Sequence, residues 1–497
     1  AGSFVESISN NSFYAFLGLS NPTTTGFGRT DNWNTSLANN PVDNFQYISH
    51  YRDTSLFGKR ITTENVRRVV KKVDWTIDTQ YDMYRHDYGQ GNEAPVSKTV
   101  RLYDANYYVI TEDFKVYICI ENGSSGLSPT VPTSTIKPTH TDVEPVGYSD
   151  RYRWKYLFTV SPSDVIKFDS TEYFVVPNNW ETTTDSEIEI IRDGGNSDIN
   201  NNQIKAVYIE NGGSGFGNLD ATVTYDILGD GIGGKVSLTT TGEVITGVTV
   251  TQGGSGYTYG IVDLPTSSTP AKLIPIIPPS KGHGYNIYKE LGADKVLLYA
   301  RFDDSTKDFP IDTKFAQVGI IKNPETFSGA GITFTGNMFS SLSGIGLSLT
   351  ESRDIIIGEQ ITQDQGSNIV AKGYVASFDK DTKVLKYYQD RSLCFGNKLD
   401  QTQSSDTKNI IPFNSPTNNP QPISFITSGG SAPINQTLDG NVITIDSKQI
   451  DLGVSFTNGL ANPEINKKTG DIIYIDNRPI VQRDSRQKED IKIILEF

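Results

Sequence analysis

Short runs of β-branched and aromatic residues, each broken after a few positions by Gly, Asn, Asp or Pro, recur along most of the chain. The 497 residues include 25 Tyr, 23 Phe, 45 Gly and 23 Pro. β-Branched and aromatic side chains favour strands, whereas the interrupting residue types favour turns. This alternation predicts a mainly β protein of several domains with few short helices.

The clearest runs define the strands that we expect. They are Tyr14–Leu17, Tyr107–Ile110, Val116–Ile120, Tyr156–Val160, Tyr173–Val176, Val296–Phe302, Phe315–Ile321, Val384–Tyr388, Ile472–Ile475 and Ile491–Phe497. The run at 384–388 follows a turn at 379–382, which predicts a hairpin. A short helix is expected near 287–291.

One amphipathic helix is predicted from Thr62 or Thr63 to Val73, with a Thr as its cap. Its apolar face consists of valines at helical spacing: Val66, Val69, Val70 and Val73. Its other face carries four basic residues: Arg67, Arg68, Lys71 and Lys72. Charge on the far side of such a helix is usually solvated, and the alternative is a basic docking surface for an acidic partner.

The aromatic-rich segment 74–88 follows this helix directly. It is interpreted as a carbohydrate platform, a protein interface or a packed segment, and Tyr, Trp and Arg together are typical of interface hot spots. The candidate interface residues of the chain are therefore Arg67, Arg68, Lys71, Lys72, Trp75, Tyr81 and Tyr84.

An internal repeat relates residues 204–216 to residues 245–257, 41 positions further along. In each copy a strand-like run leads into Gly-Gly-Ser-Gly and then an aromatic residue. The repeat predicts two hairpin-like units that pack into a small β module, closed by a stiff Pro-rich connector at 265–279. A second unusual region, 327–466, is rich in Ser, Asn, Gln and Gly, and its stretch 401–422 predicts a long loop.

The charge balance excludes some classes of function. With 58 acidic and 44 basic residues the net charge is −14, which disfavours binding to nucleic acid. The two cysteines, Cys119 and Cys394, have no ligand spacing, so neither a disulfide framework nor a zinc site is expected. The absence of a long apolar run and of a signal-like start predicts a soluble protein, made in a cytoplasm, without a membrane span.

Motifs for catalysis and cofactor binding are weak. Residues 229–235 fit a phosphate-binding Gly-rich loop, but Val236 follows where Ser or Thr is needed, so a β-turn is favoured. Residues 198–203 have the first oxygens of a calcium loop and lack its later Gly and Glu. The four histidines are scattered, at 50, 86, 140 and 283. We therefore predict no catalytic, cofactor or metal site, although a glycosidase carboxylate pair stays possible because its pairing is spatial.

The end of the chain carries the most distinctive block. Residues 470–480 read Gly-Asp-Ile-Ile-Tyr-Ile-Asp-Asn-Arg-Pro-Ile, and an acidic-to-apolar strand follows at 489–497. A second block reads Tyr-Arg-Trp-Lys-Tyr-Leu-Phe at 152–158, with Glu-Tyr-Phe-Val-Val-Pro at 172–177. Weaker blocks lie in order at 27–33, 74–75, 116–119 and 315–324. Together they resemble the baseplate wedge subunit encoded by gene eight in T-even-like contractile-tailed phages, especially its longer cyanophage relatives.

The resemblance covers about 1–190, 285–325 and 467–497, roughly half of the chain. It implies a mostly β structural protein without catalysis, located in the virion at the tail baseplate and assembled in the host cytoplasm. Its implied partners are a second copy of itself, as a homodimer, and the other wedge proteins, through which it helps to relay the contraction trigger.

The matched blocks predict how the chain is divided. We expect a discontinuous, β-sandwich-like core formed by 1–200, 280–326 and 467–497, with β-rich inserts at 201–279 and 327–466. The inserts would decorate the baseplate or reach neighbours, including host glycans. The alternative function is a tail-associated glycan-binding or glycan-cleaving protein, which predicts exposed aromatics over a groove with carboxylates about 5–10 Å apart.

Overall fold

The computed structural model describes residues 1–19, 43, 45–193, 203–303, 313–329, 331–349, 354–367, 369–389, 410–484 and 487–497. Strands predominate in these residues, which confirms the prediction of a mainly β fold. The α-helices are short: α1 (Gly2–Asn10), α2 (Phe45–Thr54), α3 (Pro162–Phe168), α4 (Ser186–Arg192) and α5 (Ile287–Glu290). Two 3₁₀ turns lie at Thr63–Asn65 and Leu102–Asp104.

The strands range from 2 to 12 residues in length. In chain order they are β1 (Phe13–Gly18), β2 (Ser55–Ile61), β3 (Val66–Lys71), β4 (Tyr108–Ile110), β5 (Lys115–Glu121), β6 (Val146–Gly147), β7 (Arg153–Thr159), β8 (Tyr173–Val176), β9 (Val207–Asn211), β10 (Thr224–Gly229), β11 (Ile232–Thr241), β12 (Val244–Ser255), β13 (Gly260–Val262), β14 (Lys272–Pro275), β15 (Lys295–Asp303), β16 (Lys314–Lys322), β17 (Met338–Ser340), β18 (Ser343–Gly346), β19 (Gln360–Asp364), β20 (Val370–Asp379), β21 (Val384–Tyr388), β22 (Ile423–Phe425), β23 (Ser431–Ala432), β24 (Gly440–Ile445), β25 (Lys448–Thr457), β26 (Leu460–Ala461), β27 (Asp471–Gln482) and β28 (Lys488–Glu496). Each strand expected from the sequence is present, including the β20–β21 hairpin.

The chain forms two compact units, the first from 67–297 with 493–497, the second from 2–66 with 298–492. Within the first unit β4-β5-β7-β6 form one antiparallel sheet and β3 pairs with β8. Its interior is aromatic: Trp154, Trp180 and Tyr117 are fully buried. Aromatic side chains bury more area than other residues, so a few of them supply much of this core.

The repeat forms an interlocked module in the first unit. Ile204 N donates to Gly253 O, and the matching Ile245 N donates to Gly212 O, each over 3.0 Å. The aromatic residues that end the copies, Phe216 and Tyr257, are buried in one cluster. The two copies therefore complete each other, as the predicted β module requires, but their strands have different neighbours, since β9 pairs with β14 and β12 with β11.

The second unit contains two sheets. One has the order β17-β2-β1-β16-β27, and its core includes Tyr14, Phe16 and Phe339. The other has nine strands in the order β23-β22-β19-β20-β21-β18-β26-β25-β24. Its long connection is without helix or strand over 410–422, as predicted, while the rest of the predicted loop, 401–409, lies outside the described residues.

Both regions interpreted as inserts begin and end side by side. At the first, Ile276 N donates to Ala206 O over 2.9 Å. At the second, Phe327 N donates to Glu464 O over 3.0 Å and Asn466 N donates to Glu325 O over 2.9 Å. Each region thus leaves and re-enters its unit at one place, which is what an insertion requires, and the exact domain boundaries stay a prediction.

Two predictions about secondary structure are wrong. The helix predicted from Thr62 or Thr63 to Val73 is a 3₁₀ turn followed by strand β3. Valine favours strands, and the helical spacing reflects a strand that buries valines on both faces. The predicted Pro-rich connector at 265–279 is also not a plain linker, because β14 ends at its Pro275, where a missing N–H is tolerated. The short helix near 287–291 is confirmed as α5.

Candidate protein interface

The four basic candidates lie on or directly after β3 and do not share one face. Successive side chains of a strand point to opposite sides, so Arg67 and Lys71 lie on the side opposite to Arg68. The expected stripe of a helix is therefore replaced by two smaller groups.

Most of these basic groups contact their own unit. Arg67 Nε lies 2.9 Å from Asp164 Oδ1, and Lys72 Nζ lies 3.3 Å from Asp169 Oδ1. The Arg68 guanidinium carbon lies 3.7 Å from the ring centre of Tyr288, a cation–π contact. These contacts tie β3 to α3 and α5, whereas the Lys71 side chain is exposed. An interface role for the four residues stays a prediction, and Lys71 is the one most open to a partner.

The aromatic candidates lie mainly inside the first unit. Tyr81 is 2% exposed, and its ring meets that of Trp154 edge-on at 5.7 Å. Tyr84 is 5% exposed and meets the ring of Tyr107 at 5.7 Å. Trp75 is half-buried and donates from Nε1 to Ser134 Oγ over 3.1 Å. Of the three aromatic candidates, Trp75 keeps the most surface for a partner.

A buried polar cluster lies behind these aromatics, which we call the His283 cluster: His283, Gly284, Glu290, Tyr84, Tyr107 and Lys155. Glu290 accepts hydrogen bonds from His283 Nδ1 and from Gly284 N. Tyr107 donates to the backbone oxygen of Glu290, so the side chain and the main chain of this residue are both engaged. Burial raises the pKa of Tyr107 well above its usual range, and the charge of Glu290 contributes.

Lys155 is the cluster's cation. It is 2% exposed, and its Nζ donates to Val143 O over 2.6 Å. Burial, followed by the positive charge of Lys205, lowers the pKa of Lys155 from 10.5 to about 8. Lys205 itself lies 2.7 Å from Glu144 Oε2, at the base of the first insert.

The cluster holds α5 and the preceding loop against the sheet of the first unit through buried hydrogen bonds. Unmade hydrogen bonds of this kind are costly, so the cluster fixes one arrangement of the loop. Sequence reasoning missed it, because His283 stood alone as one of four scattered histidines. The only available signal was the short helix that places Glu290 within reach of His283.

Of the two loop motifs found in the sequence, the structure fully describes the Gly-rich one. Residues 229–235 run from the last residue of β10, through the turn at 230–231, into the first residues of β11. Lys235 Nζ lies 2.6 Å from Asp226 Oδ1. Most of the calcium-like segment, 198–202, lies outside the described residues. In the ranges that the structure describes, no group of three His, Cys, Asp or Glu side chains could hold a metal ion.

Among the described residues, no helix has the length and apolar character to cross a bilayer. Comparison with models of known protein families and with curated proteins finds no match for this chain. The assignment of a function therefore depends on the sequence blocks and on where the structure places them.

Proposed function

We propose that the chain is a structural subunit of a phage tail baseplate wedge, which assembles as a homodimer with other wedge proteins and helps to relay the contraction trigger. The single observation that carries the proposal is the pairing of sequence blocks that lie far apart in the chain. These are the blocks that resemble the wedge subunit.

In the second unit the block at 315–324 and the terminal block at 470–480 lie on neighbouring strands, β16 and β27. Ile320 is opposite Tyr474 and Val318 is opposite Asp476, across about 150 residues of intervening sequence. Blocks that pair directly form one structural core, which supports the interpretation of the intervening segment as an insert.

The first unit repeats this arrangement. The block at 116–119 lies on β5 and the block at 152–158 covers β7, and the two strands pair with Cys119 opposite Trp154. These four matched blocks therefore occupy neighbouring, paired strands, two in each unit. The regions interpreted as inserts extend from points where the chain leaves and returns. Long surface insertions of this kind cost little closure entropy.

The deciding experiment is cryo-electron microscopy of intact tails from virions that carry this chain. We expect pairs of copies in each wedge around the central hub, in contact with other wedge subunits. Density in the tail fibres or the head instead, or a tail without the chain, would contradict the proposal.

Charge reversal at one basic residue can test docking without disturbing the fold. Charge reversal at the exposed Lys71 should weaken wedge assembly if β3 is a docking surface, without a loss of thermal stability. Arg67→Glu is not equivalent, because it would place a like charge beside Asp164. Sedimentation with purified partners measures wedge assembly. Assembly that is unchanged in Lys71→Glu would leave Lys71 as a solvated side chain with no docking role.

A further inference from the structure

The nine-stranded sheet of the second unit ends in a two-stranded arm, formed by β24 and the first half of β25. In this arm Ile443 is opposite Ile450 and Ile445 is opposite Lys448. The neighbouring strand β26 reaches β25 only at the far end of β25, where it pairs with Phe456 and Thr457. Over the described residues, no strand pairs with the outer edge of β24.

The outer edge of β24 lacks the usual protection against strand pairing. Native edge strands commonly carry charges, proline or a bulge that blocks another chain. β24 reads Gly-Asn-Val-Ile-Thr-Ile, without a charge or a proline. Its pairing with β25 has one register shift, between Gly440 and Val442, and is regular over residues 442–445. The edge strand β27 of the other sheet shows the contrast, because it contains Asp476, Arg478 and Pro479.

The arm also leaves apolar side chains in contact with water. Val442 is 43% exposed on one face, and Ile443 and Ile450 are half-buried on the other. An isolated two-stranded hairpin is marginally stable in water, whereas three or more strands with an apolar face are stable. We therefore expect the arm to become more stable when a further strand pairs with it.

We infer that the outer edge of β24 pairs antiparallel with β24 of a second copy of this chain, forming a continuous sheet across a two-fold axis. The order of strands across the contact is β25-β24-β24-β25. This inference rests on the proposed homodimer and names the surface that forms it.

Charge selects a second copy over a different protein. A strand that receives an acidic or basic partner strand carries complementary charge, and β24 carries none. In a two-fold contact each strand meets its own sequence, so any charge near the axis would face itself. An uncharged β-branched strand is complementary to itself, and backbone hydrogen bonds supply the attraction.

The test is the double variant Val442→Lys with Thr444→Lys, both at exposed positions on one face of β24. In an antiparallel pair centred on residue 443, position 442 of one copy lies opposite position 444 of the other. Like charges then face each other at both places, which should weaken dimerisation about tenfold or more. The matched control is Gln449→Lys with Ser455→Lys, which adds the same charge to exposed positions on the inner strand β25.

Analytical ultracentrifugation of the full chain gives the readout. We expect the wild type and the control to be dimers at micromolar concentration. The β24 variant should keep the circular dichroism spectrum of the wild type, and its dimer Kd should be about tenfold or more higher. A wild-type dimer that persists with the same Kd in the β24 variant overturns this inference and leaves the homodimer intact. A monomeric wild type overturns the proposed homodimer itself.

A second readout does not depend on how the lysines are tolerated. Single cysteines at positions 441–445, in a Cys394→Ser background, should form disulfides between copies at the positions nearest the axis, where Cα atoms come within about 6 Å. A stable dimer in which none of these cysteines cross-links would overturn the inference.

Discussion

β12 in the first insert and β24 in the second are both outer strands without a charged residue. The outer edge of β12 is covered near both ends by the other copy of the repeat, since Ile245 donates to Gly212 and Gly253 accepts from Ile204. In the described residues no such bonds cover β24. An internal duplication thus lets one region protect its own strand edge, whereas we infer that a second copy of the chain covers the edge of the other.

The largest expected effect tests the closed module. Gly254 has φ +61°, and an added Cβ would lie 2.5 Å from Ile232 O and 2.6 Å from Gly234 N. Gly254→Ala should therefore lower the free energy of unfolding by about 1–2 kcal/mol through the left-handed backbone and by about 1–3 kcal/mol through overpacking. Chemical denaturation measures the change.

Gly217→Ala is the matched control. Gly217 has φ +65° with open space where its Cβ would be, so only the backbone cost is expected. Equal losses in the two variants would show that the close approach of β11 to Gly254 does not limit the space at this position.

Lys155, the buried cation of the His283 cluster, gives a pH-dependent test of stability. The folded pKa of Lys155, about 8, is below the unfolded value of 10.5, so the unfolded chain binds more protons in this window. Stability should rise as pH increases from 8 towards 10, by roughly 3 kcal/mol for the full shift.

The alkaline rise should disappear in Lys155→Met. Thermal melts between pH 7.5 and 9.5 measure it before the buried tyrosines ionise. The control is Lys71→Met, which removes one exposed positive charge and should leave the alkaline rise in stability in place. A rise that persists in Lys155→Met would assign the effect to another group.

The second insert has its own internal anchor at Glu359, which is 4% exposed. Burial raises its pKa, but hydrogen bonds from Ser428, Ile356 and Thr427 outweigh burial and lower the pKa below its usual value. Its stabilisation is therefore present above the unfolded pKa and is lost as pH falls through the folded pKa. Glu359→Gln should cost about 1–3 kcal/mol at pH 7, because an amide N–H₂ then faces donors.

Urea denaturation at pH 7 and pH 4 checks this expectation. The cost of Glu359→Gln should shrink at the lower pH. Asp354→Asn, which removes an exposed ion pair with Lys380, is the control and should have a smaller effect. If Glu359→Gln lowered the free energy of unfolding equally at both pH values, the carboxylate charge would not be the source of the stabilisation.

The smallest effect is on dynamics rather than stability. Hydrogen exchange should be faster in the arm than in the β11–β12 hairpin whenever the chain is monomeric, since amides without a third strand open locally. Dimerisation should slow exchange in β24 and leave β11–β12 unchanged. An arm that is equally protected in the monomer would remove the contrast between the two inserts.

Local sequence predicted much of the fold because most strands are aromatic or β-branched runs bounded by turn residues. The repeat was visible in the sequence, and the structure joins its two copies through backbone hydrogen bonds and one apolar cluster. The division of the chain into a core and inserts stays a prediction. The prediction failed at β3, where Val69 and Val70 satisfy a helical pattern but pair with Val175 and Phe174 on β8. A distant strand decides that choice, and no local pattern contains it.

The candidate interface was less accessible to sequence reasoning. Composition identified Tyr81 and Tyr84 as hot-spot residue types, but composition does not distinguish a surface from an interior. The edge of β24 has the opposite character. Its residues are ordinary for a strand, and only the sheet order shows that no other described strand pairs with its outer edge. Position in a sheet depends on pairing across the whole unit.

The interlocked repeat also sets an order of events during synthesis. Gly212 cannot receive its hydrogen bond until Ile245 has left the ribosome, and Ile204 must wait for Gly253. At about 5–20 residues per second, the 41-residue offset between the copies corresponds to a delay of roughly 2–8 s. During that interval the first copy is an apolar, glycine-rich segment without its complement, so the module folds only after its second half emerges.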